Sequence, residues 1–109
     1  MSYQIEYSKE ARQDLREIYT YIAEELLVPE TAARQVNRIM DVVDELDEMP
    51  FRFAQYEFEP WRSQGLRFVP VDNYIVFYLP KEKDEVVYIV RIMYGGRDIR
   101  KRFEETLKL

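Results

Sequence analysis

The sequence predicts an α+β fold in which an antiparallel helical hairpin packs on a mostly antiparallel four-stranded sheet, in the order β-αα-βββ-α. Three observations predict it: an N-terminal segment that alternates apolar and polar residues, two helical apolar stripes in the first half, and three strand-like runs separated by turn residues in the second half. The chain has 109 residues, 47% of them hydrophobic. This length suits a single domain over residues 1–109.

The first half predicts one strand followed by two helices. Tyr3–Tyr7 alternates with the period of a half-buried strand, and Ser8 stands where a helix N-cap belongs. Spacings of three and four then give each helix an apolar stripe, made of Ala11, Leu15, Ile18, Tyr19, Ile22 and Leu26 in the first and of Ala32, Val36, Ile39, Val43 and Leu46 in the second. Pro29 predicts a break or the first position of the second helix. We expect the two helices to pack antiparallel, because their connection is short.

The second half predicts a packed loop, three strands and a last helix. Residues 51–65 carry aromatic side chains without clean periodicity, which indicates a long loop held to the body by those aromatics. The strand-like runs are Leu66–Val71, Tyr74–Leu79 and Val86–Tyr94. Asp72-Asn73 separates the first two, since these residue types tolerate the positive φ of a tight turn, and the charged residues 81–85 close the second hairpin. Asp98 is placed to cap a short final helix that ends near Leu107.

Composition and charge exclude several classes of function. Cysteine and histidine are both absent, which excludes disulfides, thiolate or imidazole catalysis and nearly every ordinary zinc site, so we expect no metal and no cofactor. No apolar run approaches the ~20 residues of a membrane span. The N-terminus also lacks a signal-peptide pattern, so we expect a cytoplasmic protein without membrane contact.

The net charge of −5 is unevenly spread along the chain. Residues 1–50 carry 5 basic and 12 acidic side chains, whereas residues 51–109 carry 11 basic and 9 acidic ones. A protein that binds nucleic acid by bulk attraction is expected to be basic overall. Any contact with RNA or DNA is therefore expected from a local patch in the second half.

Three segments, taken in order, resemble those of a known family. They are Tyr3 to Leu15 (Tyr-x-Ile-x-Tyr-Ser-x-x-Ala-x-x-Asp-Leu), Tyr74–Tyr78, and Val90–Asp98. Together they are similar to the opening strand and helix, the central strand, and the last strand with its following turn in the RelE/ParE superfamily of bacterial toxins from type II toxin–antitoxin modules. The resemblance covers nearly the whole chain and implies the same fold, growth inhibition and a role in plasmid stabilisation.

The resemblance implies one of two activities, since RelE-like members cleave messenger RNA in the ribosome and ParE-like members inhibit DNA gyrase. Arg97 matches the arginine just after the last strand of the nucleases, and Arg67 falls near a position where they carry a basic strand residue. Tyr74, however, stands where the nucleases carry a central-strand arginine, and Phe103 stands where they carry a C-terminal tyrosine. Phe103 has no proton to give to a leaving oxygen. The resemblance thus favours a ParE-like gyrase inhibitor that is not an enzyme and that a cognate antitoxin neutralises.

The alternative is a ribosome-dependent mRNA endonuclease in which Arg67 and Arg97 bind phosphate and Tyr94 supplies the proton. A third interpretation is a member that binds its partner without being toxic. The resemblance is compatible with a homodimer or with a toxin–antitoxin hetero-oligomer.

The candidate target-binding residues are Arg91, Arg97 and Arg100, and each has a purely structural alternative. Arg91 interrupts an apolar strand, where a carboxylate from a neighbouring element would pair it. Arg97 follows two glycines in a turn, where solvation or Asp98 would satisfy it. Arg100 belongs to a basic cluster that equally suits a solvated helix face.

Two further expectations concern apolar side chains. By strand alternation, Arg91 shares a face with Val87, Ile89 and Met93. The aromatic residues around Phe51–Trp61 are candidates for the surface that the antitoxin covers, because they exceed what one small core needs, or they form the lid of that core.

Overall fold

The computed structural model describes residues 2–95 and confirms the α+β architecture. The main elements are β1 (Gln4–Tyr7), α1 (Lys9–Thr20), α2 (Pro29–Glu45), a single helical turn α3 (Trp61–Gln64), β2 (Arg67–Val71), β3 (Tyr74–Lys81) and β4 (Val86–Tyr94). The final helix expected from Asp98 lies outside the described residues. Between residues 2 and 95, no helix is long and apolar enough to cross a membrane.

The four strands form one mixed sheet in the order β1-β4-β3-β2. β1 runs parallel to β4, while the β4–β3 and β3–β2 pairs are antiparallel. The predicted two-residue turn joins β2 to β3, and Asp72 there adopts the positive φ of 55° that such a turn requires. The sheet is therefore mostly antiparallel, with the N-terminal strand added at one edge.

The two helices begin at the predicted signals. The hydroxyl of Ser8 accepts a hydrogen bond from the Ala11 amide at 2.9 Å and caps α1, and Pro29 occupies the first turn of α2. α1 continues into a π-helical turn at Tyr21–Glu25, where the Leu26 amide bonds the Tyr21 carbonyl. Tyr19 and Leu26 are exposed, so their assignment to the apolar stripe is wrong. The wider π turn advances the chain by an extra residue before Leu26, which moves Leu26 out of the phase of the stripe.

The sheet separates two apolar clusters. The helices cover one face, where Ala11, Ile18, Ala32, Ile39 and Val43 pack on Val76, Tyr78, Val87, Ile89 and Ile92. On the other face, Phe77 and Met93 pack with Tyr56, Trp61 and Leu66. Because successive strand residues point to opposite faces, the neighbours Val76 and Phe77 belong to different clusters.

The segment expected to be an irregular loop contains two short helical turns. Pro50–Arg52 forms a 3₁₀ turn and Trp61–Gln64 forms α3, while Gln55 bridges to Arg67 at the edge of β2. The expectation that aromatics hold this segment to the body is confirmed for Tyr56 and Trp61, which are both buried. Helical turns this short leave no periodicity in a sequence, so composition alone indicated a loop.

A bulge changes which face β4 presents. Its register with β3 shifts between Phe77, which is opposite Arg91, and Tyr78, which is opposite Ile89. The extra residue reverses the alternation, so Ile92 packs with Ile89 on the helical face and Met93 packs on the other. The expectation that Met93 shares a face with Val87 and Ile89 is therefore wrong.

Candidate functional site

Arg91, the candidate residue on β4, forms a buried ion pair with Asp14 of α1. Arg91 Nε lies 2.7 Å from Asp14 Oδ2, and Arg91 Nη2 donates to Asp14 Oδ1 at 2.8 Å. The two side chains are 9% and 8% exposed. The hydrogen bond to Asp14 raises the pKa of the guanidinium, with Glu10 and Glu17 adding to it. The structure thus confirms the carboxylate partner expected from the sequence.

Asp14 also completes the edge of β4. β1 pairs with β4 only as far as Ile89, so no strand within residues 2–95 pairs with the rest of β4 on that side. Side chains of the first helix take its place: the Ser8 hydroxyl donates to the Val90 carbonyl at 2.8 Å, and Asp14 Oδ2 accepts from the Ile92 amide at 2.9 Å. These bonds fix the end of β4, from which the chain continues towards Arg97.

Arg67 holds the segment before β2 in place. Its Nη1 donates to the Phe51 carbonyl at 3.0 Å and to the Phe53 carbonyl at 2.6 Å. Its guanidinium carbon also lies 5.2 Å from the centre of the Phe51 ring. These contacts give Arg67 a structural role, and they direct its guanidinium towards the loop.

Tyr94 lies at the exposed end of β4, within a group of three tyrosines. Its ring meets that of Tyr74 edge-on, with the centroids 5.9 Å apart. Burial raises the pKa of the Tyr74 phenol, and the nearby Tyr94 and Tyr21 phenols add to the effect. Tyr21 and Tyr94 are both exposed. A shallow pocket between Asn73, Tyr74 and Tyr94 opens beside Gly95.

The structure does not bring the nuclease candidates within its described part together. Arg67 is opposite Tyr78 on β3, whereas Tyr94 is opposite Tyr74. Four residues along a strand separate these two rows by about 13 Å. Arg97, the third candidate for catalysis, and Arg100, a candidate for target binding, lie outside residues 2–95. Within that range no three acidic side chains converge as a metal ion requires.

The second sheet face carries an open apolar groove of about 480 Å³ beside the aromatic segment. Its lining consists of Gln55, Tyr56, Glu57, Phe58, Phe68, Ile75 and Phe77. Tyr56 and Trp61 are buried next to it. The segment was expected to form either the surface that the antitoxin covers or the lid of the core, and the structure confirms that these two rings belong to the lid of the core.

The exposed apolar tip of the helical hairpin was not predicted from the sequence. Leu26, Leu27 and Val28 connect the two helices, and all three side chains are exposed. The signal was present as an apolar tripeptide directly before Pro29, in a connection where polar residues are usual.

Comparison with known proteins agrees with the fold. The family model described as "ParE toxin of type II toxin-antitoxin system, parDE" matches residues 5–99. No curated protein matches the sequence. The chromosomal ParDE toxin–antitoxin system from P. aeruginosa contains a chain that superposes with a TM-score of 0.72 at 22% identity, over 87% of this chain and 98% of that one.

Two further solved structures share the fold at lower identity. The RelBE2 toxin–antitoxin complex from Mycobacterium tuberculosis gives a TM-score of 0.63 at 16% identity, over 88% of this chain and 95% of the other. A mutant of the E. coli toxin RelE in the free state gives a TM-score of 0.67 at 13% identity, over 99% of this chain and 97% of the other. Chains named for ParDE and for RelBE systems thus share this fold, and the fold by itself does not decide function.

Proposed function

Because this chain belongs to the family of ParE toxins of type II toxin–antitoxin systems, we propose that it arrests growth by binding and inhibiting DNA gyrase. In this proposal the toxin performs no chemistry of its own. Its candidate contact residues are Tyr94 at the end of β4 and Arg97 and Arg100 beyond it. A cognate antitoxin neutralises it in a hetero-oligomer, like those named for the P. aeruginosa and M. tuberculosis proteins.

The separation of Arg67 from Tyr94 is the observation that carries the proposal. Cleavage of RNA by its own 2′-hydroxyl needs a base, a phosphate-binding cation and an acid within hydrogen-bond reach of one phosphodiester. Arg67 is bonded to two carbonyls of the preceding loop, and strand register sets it about 13 Å from the row of Tyr94. These contacts and this spacing support an interpretation in which Arg67 holds the loop and does not share one phosphate with Tyr94.

The end of β4 has instead the composition of a protein-binding surface. Exposed tyrosines supply large, stiff, amphipathic area, and tyrosine and arginine are enriched among the residues that dominate protein interfaces. Arg91 contributes indirectly in this proposal, because its buried pair with Asp14 fixes the strand end that presents Tyr94. Arg91 as a direct target contact stays a prediction.

Induced expression of the chain without antitoxin tests the proposal. Pulse-labelling should show DNA synthesis stopping before protein synthesis, together with a DNA-damage response, and purified toxin should inhibit supercoiling by gyrase. Arg97→Ala should weaken the arrest, because it removes a candidate contact without touching the described core.

Two outcomes would contradict this function. If protein synthesis stops first and transcripts are cut in translating cells, the chain is a ribosome-dependent nuclease and its acid has to be sought among other residues. If folded protein accumulates without arrest, the chain is a member that has lost toxicity.

A further inference from the structure

Leu27 lies between the two helices and is unusual both in its backbone conformation and in its exposure. Its φ of 58° lies in the left-handed region, where glycine and asparagine are the favoured residues. Its side chain is 78% exposed, so it gains little from burial in the core. Folding alone therefore does not account for a leucine here, and a functional role has to be argued from the surface around it.

Leu27 is part of a larger exposed apolar surface. Leu26, Val28 and Tyr21 are exposed beside it, and the Leu26 amide bonds the Tyr21 carbonyl at 3.1 Å, which keeps the two residues adjacent. We call Tyr21, Leu26, Leu27 and Val28 the tip patch. The ring of Tyr74 meets that of Tyr94, with the centroids 5.9 Å apart. Tyr74 also packs against the helical cluster that includes Ile22, the neighbour of Tyr21, so the tip patch continues through Tyr74 to the end of β4.

The charged residues that flank the tip patch in the sequence have one sign. From residue 17 to residue 33 the chain carries Glu17, Glu24, Glu25 and Glu30 and neither lysine nor arginine. Glu24, Glu25 and Glu30 are exposed next to the apolar residues. A complementary surface has an apolar centre with lysine or arginine at its rim, since complementary charge steers association and suppresses wrong partners.

We propose that the tip patch is a second part of the target-binding surface and docks on an apolar, basic-rimmed area of the gyrase protein. The proposal rests on the proposed function and extends its contact area from the end of β4 to the helical hairpin. Its continuity with Tyr94, from which the chain runs on to Arg97, favours the target over the antitoxin as the occupant.

Met49 provides a matched control for Leu27. It also has a left-handed backbone, with φ 52°, and is 71% exposed, but it follows the far end of α2. The 17 residues of α2 span about 25 Å. Leu27→Asn and Met49→Asn thus each replace an exposed apolar side chain by asparagine at a left-handed backbone position. The two positions lie at opposite ends of one helix. Both variants should keep the thermal midpoint of the parent or exceed it, because asparagine suits positive φ.

The experiment measures growth arrest, gyrase affinity and antitoxin affinity for the wild-type chain and both variants. Leu27→Asn should reduce gyrase affinity about tenfold or more, as expected for truncation of a dominant interface side chain, and should weaken the arrest. Met49→Asn should change neither. Glu25→Lys should slow association with gyrase and reduce its dependence on salt.

Several results would overturn the proposal. Equal arrest and equal gyrase affinity in the two asparagine variants would show that the tip patch takes no part in target binding, and so would a loss confined to antitoxin affinity. Failure of the wild-type chain to bind gyrase is a different result, since it removes the proposed function.

Discussion

Two arginine–carboxylate pairs have nearly the same geometry and very different surroundings. Arg91 meets Asp14 at 2.7 and 2.8 Å with both side chains buried, and Arg38 meets Asp72 at 2.7 and 2.8 Å with side-chain exposures of 60% and 32%. The exposed pair lowers the pKa of Asp72 through the Arg38 hydrogen bond, yet water competes for both partners. Burial, and not the contact distance, decides how much each pair stabilises the fold.

Arg91→Ala should destabilise the protein by about 3–5 kcal/mol, the cost of leaving a buried charge without its partner. Arg38→Ala should cost much less, because water screens and competes for an exposed pair. Urea unfolding of the full chain measures both values. Equal effects would mean that Asp14 is solvated once Arg91 is gone.

Strand β4 is the element on which both the core and the candidate site depend. It pairs with β1 and β3, its edge is completed by Ser8 and Asp14, and its bulge lets Ile89 and Ile92 face the helices. The same strand ends at Tyr94. Changes in the packing of α1 on β4 should therefore reach the candidate site without any contact to the target.

Helix α2 carries acidic residues at both ends, which is favourable for the helix dipole at the N-terminus and unfavourable at the C-terminus. Glu30 lies in the first turn, where the helix dipole favours an anion, but the last turn has Asp44 and no basic residue. We predict that Asp44→Asn stabilises the protein by a few tenths to about 1 kcal/mol and that Glu30→Gln destabilises it by a similar amount. Thermal unfolding at low salt measures both, and effects of the same sign would contradict the dipole argument.

Asp44→Asn should also change behaviour at alkaline pH. Burial, with Asp44 adding to it, raises the pKa of the Tyr7 phenol to about 12, and its hydroxyl has no hydrogen-bond partner among the described residues. The unfolded phenol has a pKa of about 10. The neutral phenol therefore contributes its full stability below pH 10 and loses it between pH 10 and about 12. Without the Asp44 carboxylate, the Tyr7 pKa should fall, as ultraviolet titration of tyrosinate would show.

At the scale of the whole molecule, the sheet joins two apolar clusters into one body. The helices cover one face, and the segment from Tyr56 to Leu66 covers part of the other. Val76 and Phe77 are adjacent in β3 and belong to different clusters, so loss of the strand exposes both. The domain is therefore expected to unfold in one step.

The single tryptophan makes that expectation testable. Trp61 fluorescence reports the second face, and far-ultraviolet circular dichroism is dominated by the helices on the first. The two signals should follow one urea transition with the same midpoint. A fluorescence change at lower urea than the loss of helix would mean that the second cluster melts by itself, and Trp61→Ala would then leave the helical transition in place.

Within residues 2–95, the sequence by itself determined the order of the four strands and the two long helices and most of their limits. Ser8, Pro29 and Asp72-Asn73 act within a few residues of their own position, and they set the start of both helices and the turn between β2 and β3. The apolar stripe of α2 likewise predicted its buried face. Such signals can be recognised in the sequence because each acts locally. Helix capping by Ser8, the φ fixed by the ring of Pro29 and the tolerance of Asp72 for a positive φ do not depend on the rest of the chain.

Only the tertiary structure decided what the candidate side chains do. Asp14 and Arg91 are 77 residues apart in sequence, and nothing local to either one indicates the other. The same holds for Arg67 and the Phe51 and Phe53 carbonyls, and for the bulge that moves Met93 to the second face. These outcomes depend on which surfaces meet when the helices, the aromatic segment and the strands pack together, and that is a property of the assembled chain.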